Sequence, residues 1–203
     1  FTGGTCVCGI PCQHELDSNN YCAKCDTTFV AKVNSDYYAT VTAALAAAPS
    51  GSTVTLLSDA VTESVTFAGG DKSVTLDMTG KTLTAADIYH PALTVESGTL
   101  NIAAADDGVH CDYVLNIGTA DGDGPTITIT DCGEGLEGAT LNVYSGNITI
   151  HSEDDCLNAA NSDLTDYAYE MNIYGGTLAV DAETGDGLDS NGTLTITGGT
   201  VLV

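Results

Sequence analysis

The residues with the densest chemistry are acids set in short turns. Asp106-Asp107-Gly108-Val109-His110, Glu134-Gly135-Leu136-Glu137, Asp154-Asp155-Cys156-Leu157-Asn158 and Asp186-Gly187-Leu188-Asp189 each place one or two carboxylates beside a small residue. Each returns an acid, an amide or an imidazole three residues later. Carboxylate and amide oxygens are the hard donors that calcium gathers, roughly six to eight at a time. A turn chosen only for its bend has reason to use Asp-Gly. It has no need of the second acids Glu137 and Asp189, or of doubled acids at 106–107 and 154–155. Asp106, Asp107, Glu134, Glu137, Asp154, Asp155, Asn158, Asp186 and Asp189 are therefore expected to hold calcium. A solvated acidic surface is the alternative. His110 and His151 read as isolated histidines.

A softer donor set opens the chain, where five of the eight cysteines fall. Cys22-Ala23-Lys24-Cys25, together with Cys8, Cys12 and His14, has the spacing of a tetrahedral zinc site. A disulfide knot over the same cysteines is the alternative. Cys111 fills a slot held by Gly138, Ala159 and Ser190 in the other units, a small inward position that suits a buried thiol. A Cys132–Cys156 bridge between neighbouring units is left open.

What must position the acids is a repeat. A glycine followed by a strand recurs at Gly98, Gly124, Gly146, Gly176 and Gly199, at intervals of 22 to 30 residues. An acidic turn follows 9 or 10 residues after each of the first four glycines, and then comes a second strand. The long interval carries an insertion around 162–169. Alternation of Thr with apolar residues, as in Ile127-Thr128-Ile129 and Ile148-Thr149-Ile150, marks strands with one wet and one dry face. Such a unit cannot bury its dry face alone, so the units must stack. The expected fold is all-β: a parallel β-helix (solenoid) over residues 33–203. A capping helix is expected at about 37–48, N-capped by Ser35 or Asp36, with a small cysteine-rich N-terminal lobe at 1–32. A leucine-rich repeat is set aside because its Leu spacing and asparagine ladders are not apparent. Stacking would bring Asp107, Glu134, Asp155 and Asp186 into one column, and His110, Glu137, Asn158 and Asp189 into a second. Rungs lie ~4.8 Å apart. Like charges at that spacing repel by roughly 3 kcal/mol at an effective dielectric of 20.

Charge narrows the function classes. The 203 residues carry 4 Lys+Arg against 28 Asp+Glu, a net charge of −24. All four cations are lysines. That excludes a basic face for nucleic acid or anionic lipid. No apolar run approaches the ~20 residues of a membrane span. The chain begins at Phe1, which reads as a processed chain or an excised fragment. β-Elimination from a uronate needs a basic side chain, yet the lysines of the strand region, Lys72 and Lys81, precede the acidic turns. Glycoside hydrolysis needs two free carboxylates, which calcium would occupy. A polysaccharide lyase or hydrolase is accordingly ranked last, and the chain is expected not to be an enzyme.

Over roughly residues 95–203 these motifs resemble a bacterial family of secreted carbohydrate-binding proteins. The run Gly185-Asp-Gly-Leu-Asp-Ser-Asn-Gly-Thr-Leu-Thr-Ile-Thr-Gly-Gly199 is the fullest example. The resemblance implies a pectate-lyase-like right-handed β-helix that binds calcium and recognises cellulose or acidic sugars without cleaving them, outside the cell or at its surface. Cys156 in a glycine slot and the stop at Val203, where further coils are expected, depart from that pattern. Tyr113, Tyr144 and Tyr174 are candidates to stack on sugar rings, though Trp is absent. The alternative is a structural subunit of an extracellular filament or matrix, joined head to tail with copies of itself through the open β-helix end and calcium.

Overall fold

A computed structural model describes residues 14–62, 64–67, 70–104 and 106–203. Cys8 and Cys12 lie outside the described residues. The chain is an all-β solenoid of about six turns with one short helix. Its strands pair in parallel and in the register the repeat requires. Leu100, Ile127, Ile148, Leu178 and Val201 form one inward column. Leu93, Leu115, Leu141, Met171 and Leu194 form another. Most of these side chains are fully buried, and each contributes roughly 1.5–3 kcal/mol relative to exposure. The outward threonines between them stay in or near water. A one-residue slip would invert both sets, so the apolar pattern locks the register.

The five repeat glycines all take positive φ, from 73° at Gly124 to 116° at Gly146. Each starts a new coil by turning the chain in the left-handed region. At Gly98 the packing is decisive as well. A Cβ there would collide with the Met78 carbonyl group of the preceding coil.

The N-terminal end differs from the sequence expectation. The helix is shorter, Val41–Ala47, and its N-cap is Thr40, whose side chain accepts from the Ala43 N–H. Ser35 and Asp36 instead belong to an antiparallel hairpin of Ala31–Val33 with Asp36–Tyr38. Asn34, at φ 53°, starts its turn. Pairing with Ala31 and Lys32 keeps Tyr37 and Tyr38 extended, and Ala31–Val33 also pairs with Thr53–Leu56. Val41, Ala44 and Leu45 then bury one face of the helix in the solenoid core.

A short asparagine ladder is present, contrary to expectation. Asn172 Nδ2 donates to Asn142 Oδ1 at 3.1 Å, and Asn142 Nδ2 to Asn116 Oδ1 at 2.9 Å. Asn116 Nδ2 ends the chain on Thr94 Oγ1 at 3.1 Å. One asparagine per coil, separated by more than twenty residues, carries no local sequence signal.

The 162–169 insertion and Asn161 before it fold back on their neighbours. Asn161 donates to the Asp112 carbonyl at 2.9 Å, and the Tyr169 hydroxyl donates to the carbonyls of Asn161 and Leu164. At the last rung Leu194, Ile196, Leu202 and Val203 are exposed.

Candidate metal centre and carbohydrate face

Each coil has two junctions between strands, one acidic and one glycine-led. At the acidic junction the turn backbones stack directly. Gly108 N–H donates to the Glu134 carbonyl, Gly135 N–H to that of Asp155, and Cys156 N–H to that of Asp186, at 2.8 to 3.0 Å. The second column is a continuous ladder: Thr66, Tyr89, His110, Glu137, Asn158 and Asp189. The polar groups of successive coils therefore share a column. Among the described residues, however, only Asp107, His110 and Glu137 bring three ligand atoms within 4.8 Å of one another at this junction, and Glu134, Asp155, Asp186 and Asp189 form no such cluster.

The column divides in two. At its N-terminal end His110 contacts both Glu137 and Asp107, the latter at 3.3 Å. The ligand atoms of Asp107, His110 and Glu137 lie within 4.8 Å of one another. Burial works against charge on His110, but the two carboxylates outweigh it and push its pKa up to about 10. The imidazolium thus offsets one of the two carboxylate charges here. Tyr89 stacks on the imidazole at 4.8 Å, and its hydroxyl donates to Asp112 at 2.5 Å. That acceptor pushes the phenol up to about 12. Thr66, Asp87, Asp106 and Asp107 line an open pocket of about 210 Å³ beside this stack.

The C-terminal half of the column has no such cation among the described residues. Asn158 Nδ2 donates to Glu134 Oε2 at 2.9 Å. Asn158 Oδ1 is buried and has no hydrogen-bond partner among the described residues. Its neighbours along the ladder are Glu137 and Asp189, so the column offers it acceptors and no donor. Burial pushes Glu134 up to about 7; Asn158 opposes that shift, and the charges of Glu137, Asp107 and Asp155 add to it. Asp155 is raised too, first by burial and then by Asp154, Asp189 and Asp186, while the Asp186 N–H bound to it works in the other direction. Asp154 and Asp186 are exposed at the rim, and Asp189 is half-buried. A Cβ built on Gly185 would meet a carboxylate oxygen of each of Asp154 and Asp155, which fixes where those two acids point. Asp106 is exposed and belongs to the pocket rather than to this lower set.

Neither histidine is isolated, which corrects the sequence reading. His110 is placed between acids by register. His151 lies 3.4 Å from Asp181 on the neighbouring strand and from Glu183 in the bend just after it. Tyr89 could not be singled out from sequence, because its coil has no Asp-Gly turn to mark it.

At the glycine junction Tyr144 and Tyr174, on successive coils, stack at 5.0 Å with their rings 13° apart. Tyr174 is exposed. Ser145 Oγ donates to the Thr119 carbonyl at 2.9 Å, tying this pair to a neighbouring groove. Thr79, Glu96, Ser97, Thr119 and Asp123 line that groove, which measures about 350 Å³. Tyr113 is exposed but has no aromatic neighbour among the described contacts.

In the N-terminal lobe His14 Nδ1 lies 3.5 Å from Cys25 Sγ, and the donor atoms of His14, Cys22 and Cys25 lie within 4.8 Å of one another. His14 pulls the Cys22 thiol down to about 6. Cys111, Cys132 and Cys156 are buried thiols with no disulfide between them; Cys156 Sγ meets Ser152 Oγ at 3.1 Å.

Residues 122–203 match a family model described as "Carbohydrate-binding domain-containing protein". No curated protein and no solved structure matches the chain significantly. The matched segment includes the stacked tyrosines and the acidic turns at Glu134, Asp155 and Asp186.

Proposed function

We propose that the chain is a non-catalytic carbohydrate-binding solenoid, acting outside the cell or at its surface, whose acidic column is held together by calcium. The observation that carries the binding role is the family match over 122–203, the segment that presents Tyr144 and Tyr174 as a flat pair. Stacked rings with an exposed outer edge suit the apolar face of a sugar. The groove beside them supplies carboxylates, hydroxyls and backbone amides for hydroxyl groups. Among the described residues no helix is long and apolar enough to cross a membrane.

Calcium is supported by the chemistry of the lower column. Glu134, Asp155, Asn158, Asp186 and Asp189 offer only oxygens, and one buried amide oxygen lacks a partner. Calcium suits that set because it accepts mixed carboxylate and amide oxygens in flexible geometry. A bound divalent ion would turn repulsion between rungs into coordination, and a uronate carboxylate could join its shell. Retention of the purified chain on cellulose and polygalacturonate, with calcium or with a chelator, tests both parts. Retention on neither glycan overturns the binding role. Retention unaffected by the chelator overturns the part given to calcium.

A second reading, assembly into a filament, is supported by the exposed Leu194, Ile196 and Leu202 on the last rung. Any further β-coil, from the same polypeptide or from a second copy, would cover them. Electron microscopy of the full-length polypeptide with and without calcium separates the two, since only assembly between copies makes fibres.

A further inference from the structure

Among its described residues the N-terminal lobe has a small core. Its buried cluster consists of Cys22, Cys25 and Phe29, with Leu16, Tyr37 and Leu57 packed around it. It is separate from the solenoid core, and the one sheet among the lobe's described residues is a two-residue hairpin, Tyr21–Cys22 against Thr27–Thr28. Lobes this small need a covalent or metal staple.

The hairpin is built around its sulfurs. Cys22 lies in the first strand, and the chain turns so that Cys25 N–H donates to the Cys22 carbonyl at 3.3 Å. Both side chains are buried, and both sulfurs face the ring of His14. That ring is clamped against Phe29 at 4.6 Å and edge-on to Tyr37 at 5.8 Å, so the imidazole is held towards the thiols. Two sulfurs and one imidazole nitrogen within 4.8 Å of one another form a soft, compact donor set. Calcium does not take such ligands, whereas zinc does, at about 2.3 Å from sulfur and about 2.0–2.1 Å from nitrogen.

We propose that His14, Cys22 and Cys25 are three ligands of a structural zinc ion that closes the N-terminal lobe. The site is independent of the acidic column and of the carbohydrate face, and it survives the failure of either. The ion ties Cys22 and Cys25 of the hairpin to His14, and so fixes the aromatic cluster that packs against Leu57.

The test is metal analysis of the full chain purified without chelator, followed by cobalt exchange. The expected result is about one zinc per chain, and a cobalt form with a thiolate-to-metal charge-transfer band. Cys22→Ser loses the zinc and the band. His14→Gln, which keeps both thiols, weakens zinc and shifts the cobalt spectrum even where Cys22→Ser fails to fold. Cys132→Ser, in the solenoid, retains zinc. Three results overturn the proposal: no zinc bound before or after reduction and zinc addition, zinc content unchanged in Cys22→Ser and His14→Gln, or an intact mass that places Cys22 or Cys25 in a disulfide.

Discussion

Asn158 donates its amide to Glu134 at 2.9 Å and leaves its own buried oxygen without a partner. One side chain thus satisfies a carboxylate on the coil before it while facing more acids on its own ladder. This arrangement makes Asn158 a sensitive reporter of the column. Asn158→Leu removes the orphaned oxygen but strips Glu134 of its donor. The expected outcome is at least a tenfold loss of calcium affinity by titration calorimetry, with stability of the calcium-free form changed by only about 1–2 kcal/mol.

Glu134→Gln should separate charge from shape. It removes one of the like charges crowding Asp107, Asp155 and Glu137. In the calcium-free protein the relief is on the order of 1 kcal/mol, or roughly 2–4 °C in the melting midpoint. With calcium saturating, the variant should melt below the parent if Glu134 holds the ion as proposed. A variant that melts higher in both conditions would argue against an ion at this rung.

The pH dependence follows from two groups. Glu134 has its folded pKa raised from 4.5 to about 7, so between those values the native state holds more protons than the unfolded state. His110 is raised from 6.5 to about 10, with the same consequence in its own window. Stability falls with pH wherever the native state is the more protonated. These two groups therefore remove stability from the calcium-free protein between about pH 4.5 and about pH 10. The lowered Cys22 thiol works the other way from about pH 6 to about pH 9, so the net fall should be clearest below about pH 6. Calcium should flatten the lower half of that slope, where Glu134 would coordinate the ion instead of keeping its proton. His110→Leu should remove the upper half. Thermal melts in matched buffers check each part.

Tyr174→Ala breaks the stacked pair with Tyr144. Such a pair contributes about 0.5–1.5 kcal/mol beyond its buried area. The fold should tolerate the change with a loss of about 1 kcal/mol, since Tyr174 is exposed. Glycan retention should fall at least fivefold in affinity electrophoresis. Tyr113→Ala, on an unstacked exposed ring, should leave retention unchanged.

Two glycines with similar φ should differ in cost. At Gly51, φ 79°, an added methyl group would have no atom within 4 Å, so Gly51→Ala should cost only the left-handed strain, about 1 kcal/mol. Gly98→Ala adds a clash with the Met78 backbone, which cannot move without parting two coils. A loss above about 3 kcal/mol in urea unfolding is expected.

Much of the architecture was legible in the sequence because a solenoid repeats its instructions. Glycines at regular intervals, threonine alternating with Ile or Leu, and an acidic turn at a constant offset define the coil, and stacking follows from its unburied face. The paired columns at Asp107–Asp186 and His110–Asp189 were readable for the same reason. The helix start was not, since Ser35 and Thr40 are both good caps and only the hairpin of Ala31–Val33 with Asp36–Tyr38 chooses between them.

The order of residues along the chain therefore determined which groups would share a column. The folded structure alone decided how those groups divide the charge: His110 offsets one of the two charges of Asp107 and Glu137, while Glu134, Asp155 and Asp189 are left with the Asn158 oxygen that has no hydrogen-bond partner among the described residues. It alone brought Tyr89 onto His110, Tyr144 onto Tyr174, and His14 onto two thiols. Register follows from backbone periodicity, which is local and written in residue types. Pairing of side chains depends on rotamers, burial and neighbours some twenty residues away, and these exist only once the coils have stacked.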